Sequence, residues 1–312
     1  MQRKLDFKID PQAAKIKHGD NIIMLGSCFA DEIGAQFAEN GFRVLSNPFG
    51  TLFHPVPIAR LIRETILGNI EERIIQREDI FLSWDAAGEI YGLRESEVRK
   101  TLAERREQLR IALKQGNYLF ITLGSSFAYR NQQTGEIVAN CHKMPQRLFD
   151  KELTSAATMQ TMWIETLQSL KEFNPELQVV FTVSPVRHFK DGLIANNRSK
   201  SRLFELIGEL EATSSAHYFP AYEIVMDELR DYRFYNADGI HPNELAVRYV
   251  WERFEKVFFS AQTQELCQEM RNLRSAFHHR MLQPDAKAAH AFDEARTRKL
   301  KAFLAVHPEV CW

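Results

Sequence analysis

Two short segments, far apart in the chain, carry residue types suited to acyl chemistry. Ser27 follows Gly26 at the end of an apolar run, residues 21–25, and opens a helical pattern. A turn there exposes the hydroxyl, and N–H groups at the helix start can stabilise a developing oxyanion. The competing reading is helix capping, a frequent use of small polar residues. The second segment is Asp238-Gly239-Ile240-His241. A carboxylate three residues before an imidazole, in a turn ahead of a helix, can meet its Nδ1–H. That contact fixes the tautomer and frees Nε2 to take a serine proton. Pro242 then suits the first turn of the next helix. The competing reading here is an ordinary Asp-Gly surface turn.

Other residues invite weaker readings. Cys28 at a helix N-terminus suggests a thiolate, but neighbours on a helix diverge, so small-residue packing is the better account. His142 between Cys141 and Lys143 reads equally as a substrate contact or an ordered loop histidine. Arg187 after the third strand can hold a carboxylate or phosphate or make a structural ion pair, and Lys200 and Arg202 share that ambiguity. Cys28, Cys141, His142 and His188 have no paired metal-ligand spacing, so no metal is expected. Phe49, Phe53 and Phe127 are candidate walls of an apolar acyl pocket. His278-His279-Arg280 and the basic run 296–301 read as solvated helix faces, with a partner surface second.

These residues must be positioned by alternating strands and helices. Apolar runs at residues 21–25, 118–123 and 179–183 read as buried strands, each followed by Gly or Ser. Residues 43–45 and 217–220 read as short strands. Helical spacing marks Phe29, Ile33 and Phe37, then residues 57–67, 96–115, 153–173, 201–210 and 243–258. Residues 80–84 with 90–93, and 129–138 turning at Thr134-Gly135, read as small hairpins. Such alternation predicts a three-layer α/β/α doubly wound sandwich with a mostly parallel sheet. Ligands then sit beyond the carboxyl ends of the strands, at Gly26-Ser27, Gly124-Ser125 and Ser184-Pro185. Beyond about residue 258 the chain is helical and charge-rich, giving a domain over 1–258 and a helical extension over 259–312.

Composition narrows the function classes. The 312 residues hold 40 basic and 41 acidic side chains, so nothing electrostatic favours nucleic acid or an anionic membrane. No apolar run approaches the roughly 20 residues of a membrane span. The charged start lacks the apolar core of a secretory signal, and the four cysteines are scattered. A cytoplasmic protein is the expectation, which makes the sequon at Asn197-Arg198-Ser199 an accident of composition.

The motifs taken together resemble a known family. Gly26-Ser27-Cys28-Phe29-Ala30 spells the signature of the GSCFA family, related to the SGNH (GDSL-type) esterases and acylhydrolases. Asn47-Pro48-Phe49-Gly50-Thr51, Asn140-Cys141-His142-Lys143, residues 182–187 and residues 238–242 are similar to that family in the expected order. The resemblance implies a flavodoxin-like fold, Ser27 as nucleophile, and Asp238 and His241 as its triad partners. It also implies an oxyanion hole from the N–H groups of Ser27 and Gly50. The third motif departs from the pattern: Gly124-Ser125-Ser126-Phe127 has Ser126 where the oxyanion asparagine belongs. Asn140 is the hypothetical substitute. One donor is worth about 3 kcal/mol of barrier, so its loss would slow turnover. The expectation is a cofactor-free serine esterase acting on a small-molecule or carbohydrate ester, with Ser27 Oγ and His241 Nε2 near 3 Å apart. The alternatives are acyl transfer by the same triad and a catalytically silent binding protein.

Overall fold

Successive residues of a strand face opposite sides of a sheet, and β1 (Asn21–Gly26) is apolar on both. Ile23 and Leu25 enter one core, Ile22 and Met24 the other. Such a strand belongs inside a sandwich. The computed structural model describes residues 7–12, 14–68, 70, 72–279 and 287–312. After β1 come α1 (Cys28–Glu39), β2 (Arg43–Ser46), α2 (Pro55–Leu67), β3 (Ile74–Arg77), β4 (Ile80–Ser83), α3 (Glu95–Gln115) and β5 (Tyr118–Leu123). The second half adds β6 (Phe127–Asn131), β7 (Ile137–Val138), β8 (Phe149–Leu153), α4 (Ala156–Phe173), β9 (Gln178–Val183), α5 (Leu193–Thr213) and β10 (His217–Tyr218). The chain closes with the short α6 (Ala221–Glu223), a π-helical turn Ile224–Leu229, α7 (Glu244–Phe258), α8 (Ala261–His278) and α9 (Lys287–Val306).

The central sheet has the order β10-β9-β5-β1-β2, parallel throughout. In strand sequence this is the flavodoxin-like 2-1-3-4-5 arrangement, whose ligand crevice opens where connections leave in opposite directions. That point lies between β1 and β5. Ser27 follows β1 there, and Gly124 follows β5. The predicted sandwich is therefore the observed fold.

Two apolar layers cover the sheet. On one face Leu119, Ile121 and Leu123 of β5 and Phe181 of β9 meet α2, α3, α4 and α5, with Trp163 edge-on to Phe181 at 4.9 Å. On the other, Phe120 and Val180 meet α1 and α7, where Phe37 touches Phe42, Phe120, Trp251 and Phe254. Each fully buried ring of this kind stabilises by about 1.5–3 kcal/mol relative to exposure. Helices α8 and α9 share a small apolar cluster of Met270, Leu273, Leu300 and Phe303. They also bond back to the sandwich, through Arg271 to Asn40 and Glu255, while the Cys311 N–H donates to the Gly41 carbonyl.

Several element boundaries differ from expectation. The first hairpin pairs β3 with β4 and turns at Glu78, whose φ is +55°. The predicted second arm contributes only a bridge from Phe81 to Gly92. The intervening Asp85 is buried between Arg60 and Arg73, which pulls that segment inward. The hairpin of β6 and β7 gains a third strand, β8, so α4 begins at Ala156 behind a Ser155 cap rather than at residue 153. Helix α5 starts at Leu193, eight residues before its predicted start, because Asn196, Ser199 and Lys200 lie on its buried face. Arg280 of the predicted histidine–arginine cluster lies outside the described residues. Among the described residues no helix is long and apolar enough to cross a membrane.

Candidate active site

Gly26 is required where β1 ends. Its φ of +138° suits glycine, and a side chain there would collide with the Thr122 carbonyl. The Asn47 Oδ1 accepts its N–H at 2.8 Å, and Asn47 is held in turn by Asp31 at 2.9 Å. Ser27 then takes the N-cap position of α1 in extended conformation, but its side chain makes no capping bond. Its hydroxyl is buried without a hydrogen-bond partner, an arrangement that costs about 1–3 kcal/mol. The capping reading of Ser27 is thus not what the structure shows.

Asp238 and His241 meet as the spacing predicted. The His241 Nδ1 lies 2.7 Å from Asp238 Oδ2, while Asp238 Oδ1 accepts the N–H groups of Ile240 (2.8 Å) and His241 (3.1 Å). The hydrogen bond from His241, followed by these two amides, holds the Asp238 carboxyl at about 2. The loop is docked beside β9. The Arg187 N–H donates to the Ile240 carbonyl (3.3 Å), its Nη2 donates to Gly239 (3.2 Å), and its guanidinium stacks on Tyr235 at 4.6 Å.

The expected bond between Ser27 and His241 is not formed. The serine is 3% exposed, and its hydroxyl has no partner. The His241 side chain is 46% exposed on its loop.

The expected oxyanion hole is also corrected. The Ser27 N–H donates to the Thr122 carbonyl at 3.0 Å, and the Gly50 N–H closes its own turn onto the Asn47 carbonyl at 2.8 Å. Both amides are spent on the fold. Ser126 is fully enclosed and donates to the Ser199 carbonyl at 3.0 Å, so it does not replace the missing asparagine. By helix geometry the N–H groups of Cys28 and Phe29 at the start of α1 have no intrahelical acceptor, whereas that of Ala30 donates to the Ser27 carbonyl at 2.7 Å. Asn140 lines a cavity of about 300 Å³; its Oδ1 accepts the His142 N–H at 2.8 Å, leaving Nδ2 as the group able to donate to a ligand.

That cavity is walled by Phe53, Phe127, Tyr129 and Phe149. Phe53 and Gly124 link it to Ser27: the Gly124 N–H donates to the Phe53 carbonyl at 2.8 Å, and a Cβ at Gly124 would lie 3.5 Å from the Ser27 Cβ. Phe49 does not line it. It is a core residue under the Arg106 guanidinium.

Three further candidates turn structural. His142 is buried, and its Nε2 lies 2.6 Å from the Ser83 carbonyl; burial lowers its pKa. Arg187 clamps the Asp238–His241 loop and has no carboxylate partner among the described residues. Arg202 donates to the Leu153 carbonyl. Burial, then Asp31, pushes the Cys28 thiol up, away from thiolate chemistry. No group of three or more metal-ligating side chains occurs among the described residues.

Two residues at the site carried more than their sequence suggested. Lys200 is buried, and its Nζ donates to the carbonyls of Gly124 and Ser184, both at 2.7 Å. His188 is an exposed residue whose ring lies beside Phe53. Desolvation of the ring, then Lys200 and His241, lowers its pKa. Lys200 was detectable: the stripe Leu203, Leu206, Ile207 and Leu210 extends back to 200, 199 and 196 at helical spacing.

The fold and site together define a class: a doubly wound α/β protein whose switch point presents an unpartnered serine hydroxyl. The family follows from the sequence. The chain belongs to the GSCFA family, whose model matches residues 21–254. A carbohydrate esterase family 3 structure from Talaromyces cellulolyticus is similar at TM-score 0.38 and 8% identity, over 81% of this chain and 99% of that one. An acetyl xylan esterase from the rumen bacterium Butyrivibrio proteoclasticus is similar at TM-score 0.35 and 11% identity, over 85% of this chain and 66% of that one. A comparison with curated proteins finds no match.

Proposed function

We propose that the protein is a serine esterase of SGNH type, acting on a small-molecule or carbohydrate ester. The observation that carries this reading is the Ser27 hydroxyl, buried at the switch point with neither a cap nor a partner. Fold stability gives no reason for such a group, whereas a nucleophile must be kept free for substrate.

In the proposed mechanism His241 closes onto Ser27 in the substrate complex, since catalytic hydrogen bonds are often long before substrate binds. Asp238 holds the Nδ1–H, so Nε2 is the basic nitrogen. The Ser27 Oγ–H proton passes to Nε2 as Oγ bonds to the ester carbonyl carbon, whose oxygen becomes the oxyanion. Collapse expels the alcohol, which leaves with the His241 proton. Water, deprotonated by His241, then releases the acid and restores Ser27. Asn140 Nδ2 and the opening N–H of α1 are the proposed oxyanion donors, and the aromatic cavity receives one arm of the substrate.

The test is p-nitrophenyl acetate hydrolysis by wild type, Ser27→Ala, His241→Ala and Cys28→Ser. Ser27→Ala and His241→Ala should lower kcat by about 10³-fold or more, while Cys28→Ser should stay within about threefold. A second reading, ligand binding without turnover, draws support from the spent amides of Ser27 and Gly50. It is preferred if wild type binds esters but hydrolyses none.

A further inference from the structure

Lys200 is among the largest fully enclosed side chains, 1% exposed. Its two hydrogen-bond acceptors are main-chain carbonyls, Gly124 just after β5 and Ser184 just after β9. The Tyr222 ring lies 5.9 Å from its Nζ, and Cys28 and His188 are within its electrostatic reach. No carboxylate pairs with it among the described residues. Burial lowers the Lys200 pKa to about 7, so near neutral pH the amine and the ammonium coexist; a buried charge without a counter-ion is costly to a fold, and an apolar side chain of similar volume is commonly tolerated better. The location supplies a reason for keeping it. Gly124 packs against Ser27, and the amides expected to receive an oxyanion are committed elsewhere. An ammonium has three donors, and two carbonyls use two of them.

We propose that Lys200 is a positioning residue for Ser27: its ammonium ties the ends of β5 and β9 together beside the serine and gives that crevice the positive potential an anionic tetrahedral adduct requires. The electrostatic half of this inference rests on the esterase reading. The clamp half does not.

The experiment measures kcat and KM for p-nitrophenyl acetate in wild type, Lys200→Met and Lys200→Arg, with amide hydrogen exchange at residues 124–127 and at Ser184, Val186 and Arg187. Lys200→Met should lower kcat by about 50-fold or more while KM stays within about threefold. Exchange at both strand ends should quicken by about tenfold or more. Lys200→Arg, which keeps the charge, should recover kcat to within about tenfold of wild type. Wild-type kcat in Lys200→Met would overturn the electrostatic role while leaving the esterase reading intact. Unchanged exchange would overturn the clamp. If wild type hydrolyses no ester, the esterase reading fails with the electrostatic role, and exchange alone decides the clamp. Should Lys200→Met not fold, Lys200→Arg decides: kcat as low as that of Ser27→Ala contradicts the inference, and kcat within tenfold of wild type supports it.

Discussion

The side-chain oxygen of Asn47 accepts the backbone N–H of Gly26 at 2.8 Å, so a loop beyond β2 fixes the backbone that carries Ser27. The Asn47 Nδ2 donates to Asp31 at 2.9 Å, which orients the amide for this purpose. Asn47→Ala leaves the Gly26 N–H unpaired and should cost about 1–3 kcal/mol in urea unfolding. Asn47→Asp keeps the acceptor but sets two carboxylates face to face, so it should fail to restore the loss. Wild-type stability in both variants would contradict this role.

Crowding at Gly124 gives a second prediction. An added Cβ would lie 2.7 Å from the Phe53 Cβ and 3.5 Å from the Ser27 Cβ. Gly124→Ala should therefore wedge Phe53 away from the serine, destabilise by about 1–3 kcal/mol, and raise KM for aromatic esters. Gly208→Ala is the control. It meets nothing within 4 Å in the middle of α5, and should be neutral or stabilise by up to about 1 kcal/mol.

His54 makes stability depend on pH. Its Nδ1 accepts the Val56 N–H at 3.1 Å, so its proton sits on Nε2, 3.2 Å from the Thr154 hydroxyl. Burial pushes its pKa down to about 4 from the usual 6.5. Above about pH 6.5 the ring is neutral in both states and its contribution is intact. As pH falls from 6.5 toward 4 the unfolded chain takes up the proton first, and up to about 3 kcal/mol of stability is lost. Urea unfolding at pH 7.5 and 4.5 should show a smaller drop in His54→Gln than in wild type. Equal drops would remove His54 from the account.

Arg187 should act through the loop it holds. Arg187→Lys loses the bond to Gly239 and the stacking on Tyr235, because an ammonium reproduces neither geometry. Ester turnover should fall by about tenfold with KM little changed. A rise in KM for charged esters alone would instead return Arg187 to the substrate contact first considered for it.

The sheet was legible because its strands are apolar on both faces, as in residues 118–123 and 179–183, and only a central parallel strand needs that. The Asp238–His241 contact was legible because it depends on residue type and short spacing, and the place of Ser27 directly after β1 was legible from the apolar run before it. Strand β8 was not: Phe149-Asp150-Lys151-Glu152-Leu153 is half polar, and it pairs with β6 through long-range contacts such as Arg130 with Glu152. The start of α5 was hidden because polar residues occupy its buried face. The fates of the Ser27 and Gly50 amides were unreadable in principle, since a main-chain hydrogen bond follows the path of the backbone and not the identity of the residue.

The most direct test of the central claim is mass spectrometry of the protein after treatment with a fluorophosphonate, which phosphonylates activated serines. One adduct on Ser27 is the expected result, absent in Ser27→Ala, strongly slowed in His241→Ala and unaffected in Cys28→Ser. An unmodified Ser27 in folded wild-type protein, or labelling that proceeds at the same rate without His241, would contradict a Ser27 nucleophile activated by the Asp238–His241 pair.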